Sequence, residues 1–406
     1  MRIEDGELTF EPDDICPRQR ALFDQYERYL TDRVKSDYER RGRFWRRDFS
    51  SPAAYERSVE PNRQHFRDLI GGWPWDRADL AIRREPLAAL DRFTVERVHY
   101  TIRDGVRTDA LLLLPEAAGP HPAVLCQIGV NGVPETLCGF TEESRTTNQS
   151  YNRLGQRLAE RGYVVLATRM VTGVSPGEIR DPDHRAPHLM TDEQREIRDW
   201  LLEHYDRARA KEYAPQTRSR TYLTRLCRMI GIDLMGVEMF ALSRAVDLLC
   251  QLPEVRSDRL GMYGKSQGGM SALWLGALDR RLAASVASAS FTERLRKQIG
   301  PDEHTPSFLL NSSEDKVFPH LQEFGDSDLA SLICPRAFAV EAGKQDDSVW
   351  WPLAEQAFGE VKAIYERLGL GEKCEMLLHE GGHEVEPEEE TDNIRCVRFL
   401  DRWLRE

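Results

Sequence analysis

The sequence predicts an α/β fold in which a mostly parallel central sheet is flanked by helices, with an N-terminal helical extension and an inserted cap or lid segment. Three observations lead there. Strand-like and helix-like segments alternate from Phe93 onward, a glycine-bounded serine turn joins an apolar strand to a helix at residues 264–268, and two later strand-like runs each end in a polar turn.

Residues 1–92 read as helical and highly charged, with Leu22, Phe23, Tyr26, Tyr29 and Leu30 at helical spacing. Arg40, Arg41, Arg43, Phe44, Trp45, Arg46 and Arg47 form a basic, aromatic cluster, but acidic residues flank it closely. A solvated helix face packing its Phe and Trp onto the body therefore fits better than a nucleic-acid surface. This helical cap has two open roles: shaping a pocket mouth, or forming a homo-oligomer contact.

The period shifts at Phe93. Phe93 to Tyr100 alternates, Asp104-Gly105 marks a turn and Ala110 to Pro115 returns, which makes a leading hairpin. A strand over Pro122 to Ile128 follows, then a helix with Tyr151, Leu154 and Leu158 on one side, then a strand over Tyr163 to Thr168. Such alternation calls for a parallel sheet covered on both faces. The pattern breaks at about 170–232, an insertion of the size of a lid or substrate-selecting cap, before Met235, Met239, Leu242 and Val246 resume an apolar helix stripe. The domains are thus 1–92, the extension, and 93–406, the α/β domain with its insertion.

Gly264-Lys265-Ser266-Gln267-Gly268 follows the apolar run Leu260 to Tyr263 and leads into a helix. A serine hydroxyl is a poor nucleophile until a base takes its proton, so it must project from a sharp strand-to-helix turn where a histidine can reach it. Partners for Ser266 should come later in the chain, acid before histidine. The strand-like Cys334 to Glu341 runs into Gly343-Lys344-Gln345-Asp346-Asp347, and Lys373 to Leu378 runs into His379-Glu380-Gly381-Gly382-His383. Asp346 is the expected acid, with Asp347 second to it, and His383 the expected base. Singly, an aspartate in a turn is a solvated turn former and a lone histidine a surface or packed residue. Order and position after strands set these apart.

Together with Leu252-Pro253-Glu254-Val255, Ala277-Leu278-Asp279-Arg280-Arg281, Cys334-Pro335-Arg336 and Gly343, these motifs make the chain from about Phe93 to its end resemble the α/β-hydrolase superfamily. Within it the resemblance is to the branch of acetylxylan-esterase-like and dienelactone-hydrolase-like carboxylesterases. The resemblance implies Ser266 as nucleophile, His383 as base then acid, and Asp346 as the residue that orients the imidazole. It implies a small-molecule ester substrate, cleaved through an acyl-enzyme, with neither cofactor nor metal.

The oxyanion of acyl transfer needs donors, and losing one typically costs about 3 to 4 kcal/mol. The backbone N–H of Gln267 should be one. The second should come from Gly129-Val130-Asn131-Gly132, which replaces the histidine-glycine signature common in the superfamily; Val130 is the expected donor, with Asn131 its competitor.

Composition narrows the partners. A net charge of -12 over 406 residues and a pI near 5.5 argue against non-specific binding to nucleic acid or anionic lipid. No apolar run reaches the roughly 18 residues of a membrane span, and Arg2 to Glu7 is charged. Eight cysteines lie scattered without CxxC pairs, so free thiols and a cytoplasmic location are expected. The acidic run Glu384 to Glu390 reads as a solvated loop.

Three other readings stand beside this one. His379-Glu380-Gly381-Gly382-His383 satisfies HExxH, the zinc-hydrolase signature. That chemistry needs a helix, and each glycine in a helix interior costs about 1 kcal/mol relative to alanine, while a strand precedes the motif. A C-C bond or amide hydrolase could use the same triad, and a hydrolase-like fold could serve as a non-catalytic binding module.

Overall fold

The computed structural model describes residues 2–4, 6–72, 77–130, 132–141, 150–171, 196, 203, 220–299, 320–388 and 390–405. A small hairpin, β1 (Arg2–Glu4) with β2 (Glu7–Thr9), precedes helix α1 (Pro12–Glu39) and helix α2 (Pro52–Leu69). Ser51 caps α2 by accepting the Ala54 N–H at 3.1 Å, with Pro52 at the first helical position where its missing N–H costs nothing.

The remaining described strands build one nine-stranded sheet. In chain order they are β3 (Arg83–Ala89), β4 (Phe93–Arg103), β5 (Val106–Pro115), β6 (His121–Gln127), β7 (Val164–Thr168), β8 (Val255–Lys265), β9 (Leu282–Ser288), β10 (Ala337–Gly343) and β11 (Cys374–His379). Across the sheet the order is β11-β10-β9-β8-β6-β7-β5-β4-β3. β3, β4 and β5 pair antiparallel, β5 meets β7 antiparallel, and the six strands β6 to β11 are parallel.

Two elements in the segment expected to be helical are strands. The hairpin β1-β2 is one. The other is β3, an edge strand whose Pro86 sits beside a register shift, the place where a missing N–H is tolerated.

Each parallel strand sends alternate side chains to opposite faces. Phe338 and Val340 of β10 join one apolar layer, Ala337 and Ala339 the other. The first layer is roofed by α4 (Leu234–Gln251), α5 (Gln267–Leu278) and α6 (Trp351–Arg367), the second by α3 (Leu154–Glu160) and α7 (Arg395–Leu404). Phe66 of α2 packs edge-on to Trp274 of α5, and the buried Arg63 guanidinium donates to the carbonyls of Ala277 and Leu332. The extension is thereby bolted to the domain through α2.

The basic, aromatic cluster also docks on the body. Trp45 is buried against Phe324, Arg41 and Arg47 both bond Asp328, and Phe44 stays exposed. Most of the insertion expected at about 170–232 lies outside the described residues, which resume with the helix Arg220–Met229. Among the described residues no helix is long and apolar enough to cross a membrane. All eight cysteines are free; six are buried, Cys250 is partly so and Cys16 is exposed.

Candidate active site

Parallel strands place their carboxyl ends along one rim, where a helix or loop begins after each. The register aligns Lys265 of β8 with Ser288 of β9, Ser288 with Glu341 of β10, and Gly343 with His379 of β11. Ser266, Asp346 and His383 each lie within four residues of one of these strand ends.

Ser266 stands between β8 and α5 at φ 59, ψ -121, a conformation rarely adopted by a residue with a side chain. Its N–H donates to Ser288 O at 2.9 Å and its carbonyl accepts the Met270 N–H at 3.1 Å, so neighbours on both sides hold the turn. The flanking glycines are a packing requirement. A Cβ on Gly264 would come within 1.9 Å of Gly268 O, and one on Gly268 within 2.2 Å of Gln127 O.

His383 Nδ1 lies 2.8 Å from Asp346 Oδ2. The carboxylate side chain is fully enclosed and the imidazole is 28% exposed. Asp346 Oδ1 accepts the backbone N–H groups of Ser348 and Val349 at 2.7 and 3.0 Å. Burial alone would raise the Asp346 pKa, but the bond and charge of His383 with these two N–H donors prevail, and the pKa falls below its ordinary value. Asp347, the other aspartate of the turn, is exposed and bonds only Ser348 Oγ among the described residues.

The two loops are fastened directly. Lys344 N donates to His379 O and Gln345 N to Gly381 O, both at 2.9 Å. Gly343 lets them touch, since a Cβ there would sit 2.1 Å from Gly382 O. His379 ends β11 and residues 380–385 follow as bends, so the two histidines of the HExxH match do not share a helical face.

The expected oxyanion donors lie on two turns, one that follows Ser266 and one that follows β6. As the first residue of α5, Gln267 has a backbone N–H without a partner inside the helix. Opposite it, Gly129 lies so near that an added Cβ would be 3.2 Å from Ser266 Cβ. Its own N–H is committed to Tyr151 Oη at 2.8 Å. Val130, half-buried, comes next on this turn, and Asn131 lies outside the described residues.

Sequence reading passed over several residues here. Lys265, 5% exposed, puts its ammonium 4.6 Å from the Tyr151 ring centre. Desolvation brings its pKa down to about 8, against the opposing pull of Asp346, Glu384 and Glu341. A lysine at the inner end of a central strand was the available signal. The acidic run is not simply solvated either. Glu386 is buried, accepting the Arg395 N–H at 2.7 Å and pairing with its guanidinium at 3.0 Å, and Val385 N donates to Ser150 O.

A cavity of about 250 Å³ is lined by Tyr100, Gln127, Thr168, Met170, Leu242 and Ser271 among others, with none of Ser266, Asp346 and His383 in its wall. Gln127 and Thr168 end β6 and β7, and Ser271 is one helical turn past Gln267, whose carbonyl accepts its hydroxyl.

No family model matches the chain. Over 180 residues it is 28% identical to "Putative hydrolase YtaP" of Bacillus subtilis, a match spanning 43% of this chain and 56% of that protein, so the chain spans about half the length of this curated relative. Among solved structures, a "putative acetyl xylan esterase" of Bacteroides fragilis superposes with a TM-score of 0.57 at 18% identity, over 82% of this chain and 77% of the other. A glucuronoyl esterase from Solibacter usitatus gives 0.55 at 16% identity, over 87% and 94%. With its parallel strand order, its helices on both faces and these neighbours, the chain has the α/β-hydrolase fold.

Proposed function

We propose that the chain is a serine hydrolase of carboxylic esters, with Ser266 as nucleophile, His383 as base and acid, and Asp346 as the residue that orients the imidazole. The observation that carries the reading is the 2.8 Å contact of His383 Nδ1 with a fully enclosed carboxylate, on the rim where Ser266 occupies its strained turn. With Nδ1 turned to Asp346, Nε2 is the nitrogen left for the hydroxyl.

Ser266 Oγ attacks the ester carbonyl carbon while its proton passes to His383 Nε2. The tetrahedral oxyanion rests on the backbone N–H of Gln267 and on a second donor from the turn after β6, assigned to Val130. Collapse expels the alcohol, protonated by His383, and leaves the acyl group on Ser266. Water then gives a proton to the same nitrogen and attacks the acyl carbon, and the second intermediate expels Ser266 Oγ, which takes that proton back from His383 as the acid is released. The enclosed Asp346 carboxylate fixes the ring tautomer and stabilises the imidazolium formed in both halves.

The substrate class is supported by the comparisons: neighbours of this fold are described as acetyl xylan and glucuronoyl esterases. A panel of p-nitrophenyl esters of increasing acyl length, acetylated sugars and matched anilides tests the reading. Turnover of short esters well above that of the anilides is expected. Anilide cleavage at equal or greater rates would move the assignment to amide hydrolysis.

A further inference from the structure

The catalytic rim makes no use of the first thirty residues, and their exposure sets them apart from the rest of the molecule. Every residue from 6 to 30 whose side chain is described is exposed, although α1 continues to Glu39 and is anchored only over its last turns, where Tyr38 is buried. About 30 Å of helix thus projects from the body.

This projecting part is amphipathic. At 100° per residue, Ile15, Leu22, Phe23, Tyr26, Tyr29 and Leu30 fall within an arc of about 120°. They are 39 to 66% exposed. The hairpin β1-β2 adds exposed Ile3 and Leu8, and the residue after it adds exposed Phe10. Nine side chains in this state leave on the order of 900 Å² of surface uncovered. Monomeric proteins seldom show contiguous apolar patches beyond about 300 to 600 Å². Nor would either element hold by itself, since an isolated hairpin is marginal in water and an unpacked helix of this composition gains little from propensity.

We infer that this arm is a dimerisation element that pairs with the same arm of a second copy of the chain. The area decides the occupant: a stable interface needs about 800 Å² from each partner, and two identical arms supply that and match each other in polarity. Charge agrees, because residues 13–35 carry five carboxylates and five cations. An antiparallel pair about a twofold axis meets no net repulsion, whereas a helix that lies on anionic lipid carries an excess of Lys and Arg on its polar face. The stripe from Ile15 to Leu30 centres on Leu22 and Phe23, which fall nearest the axis.

Sedimentation velocity of the full chain tests this. A species of twice 46.7 kDa is expected at micromolar concentration. Leu22→Glu with Tyr26→Glu should weaken association about a hundredfold or more while leaving the thermal melt of the body unchanged. Independently of how those variants fold, Leu22→Cys in a Cys16→Ser background should oxidise to a covalent dimer through residue 22. A wild-type chain that stays monomeric at tens of micromolar would overturn the inference. So would a dimer that the two glutamates leave intact, or a monomer that instead sediments with phosphatidylserine vesicles.

Discussion

The His383 imidazole meets Asp346 through Nδ1 at 2.8 Å, while the neighbouring Asp347 is exposed. One aspartate of the pair is enclosed and doubly bonded by backbone N–H groups, and the other is not. Asp346→Asn should therefore lower kcat by about four orders of magnitude, because an amide can hold the ring in the wrong tautomer. Asp347→Asn should leave kcat within a few fold of wild type. Steady-state kinetics on a p-nitrophenyl ester separates the two, and the opposite ranking would pass the acid role to Asp347.

Gly343 carries a second expectation. An added methyl group would press on the Gly381 and Gly382 carbonyls at 2.4 and 2.1 Å, forcing the histidine loop away from the acid loop. Gly343→Ala should cost about a hundredfold in kcat, the usual result of misplacing a catalytic group by about 1 Å. KM should change far less. Equal turnover in this variant would mean that the two loops need not touch for His383 to work.

The acid turn, the histidine turn and the serine elbow were legible because their chemistry demands particular residues after strand ends. The choice between Asp346 and Asp347 was weakly marked, since adjacent residues share a turn and only their burial and hydrogen bonds in the fold tell them apart. β3 was hidden because it is an edge strand that carries Pro86 and fully buries none of its residues, so no alternation of apolar and polar positions marks it. The acidic run looked solvated because its buried member, Glu386, depends on Arg395, a partner nine residues on that no local pattern announces. Lys265 was overlooked for the converse reason: its burial follows from the sheet around it and not from its own character.

Lys265 gives a pH prediction with a definite sign. Its pKa is about 8 in the folded chain against 10.5 when unfolded, so between those values the unfolded state holds the extra proton. Stability then rises with pH across that window, and the penalty for burying the charge is fully present below it. The melting temperature of wild type relative to Lys265→Met should increase from pH 8 to pH 10. A difference that is flat or falls over this range would show that the ammonium is not desolvated as described.

The central claim is that Ser266 is the acyl-accepting atom, and covalent labelling reads it most directly. A fluorophosphonate should abolish ester hydrolysis with one adduct per chain, mapped by peptide mass spectrometry to the segment holding Gly264 to Gly268, and Ser266→Ala should neither label nor turn over. An adduct on another residue, or ester hydrolysis that survives in Ser266→Ala, would contradict the account.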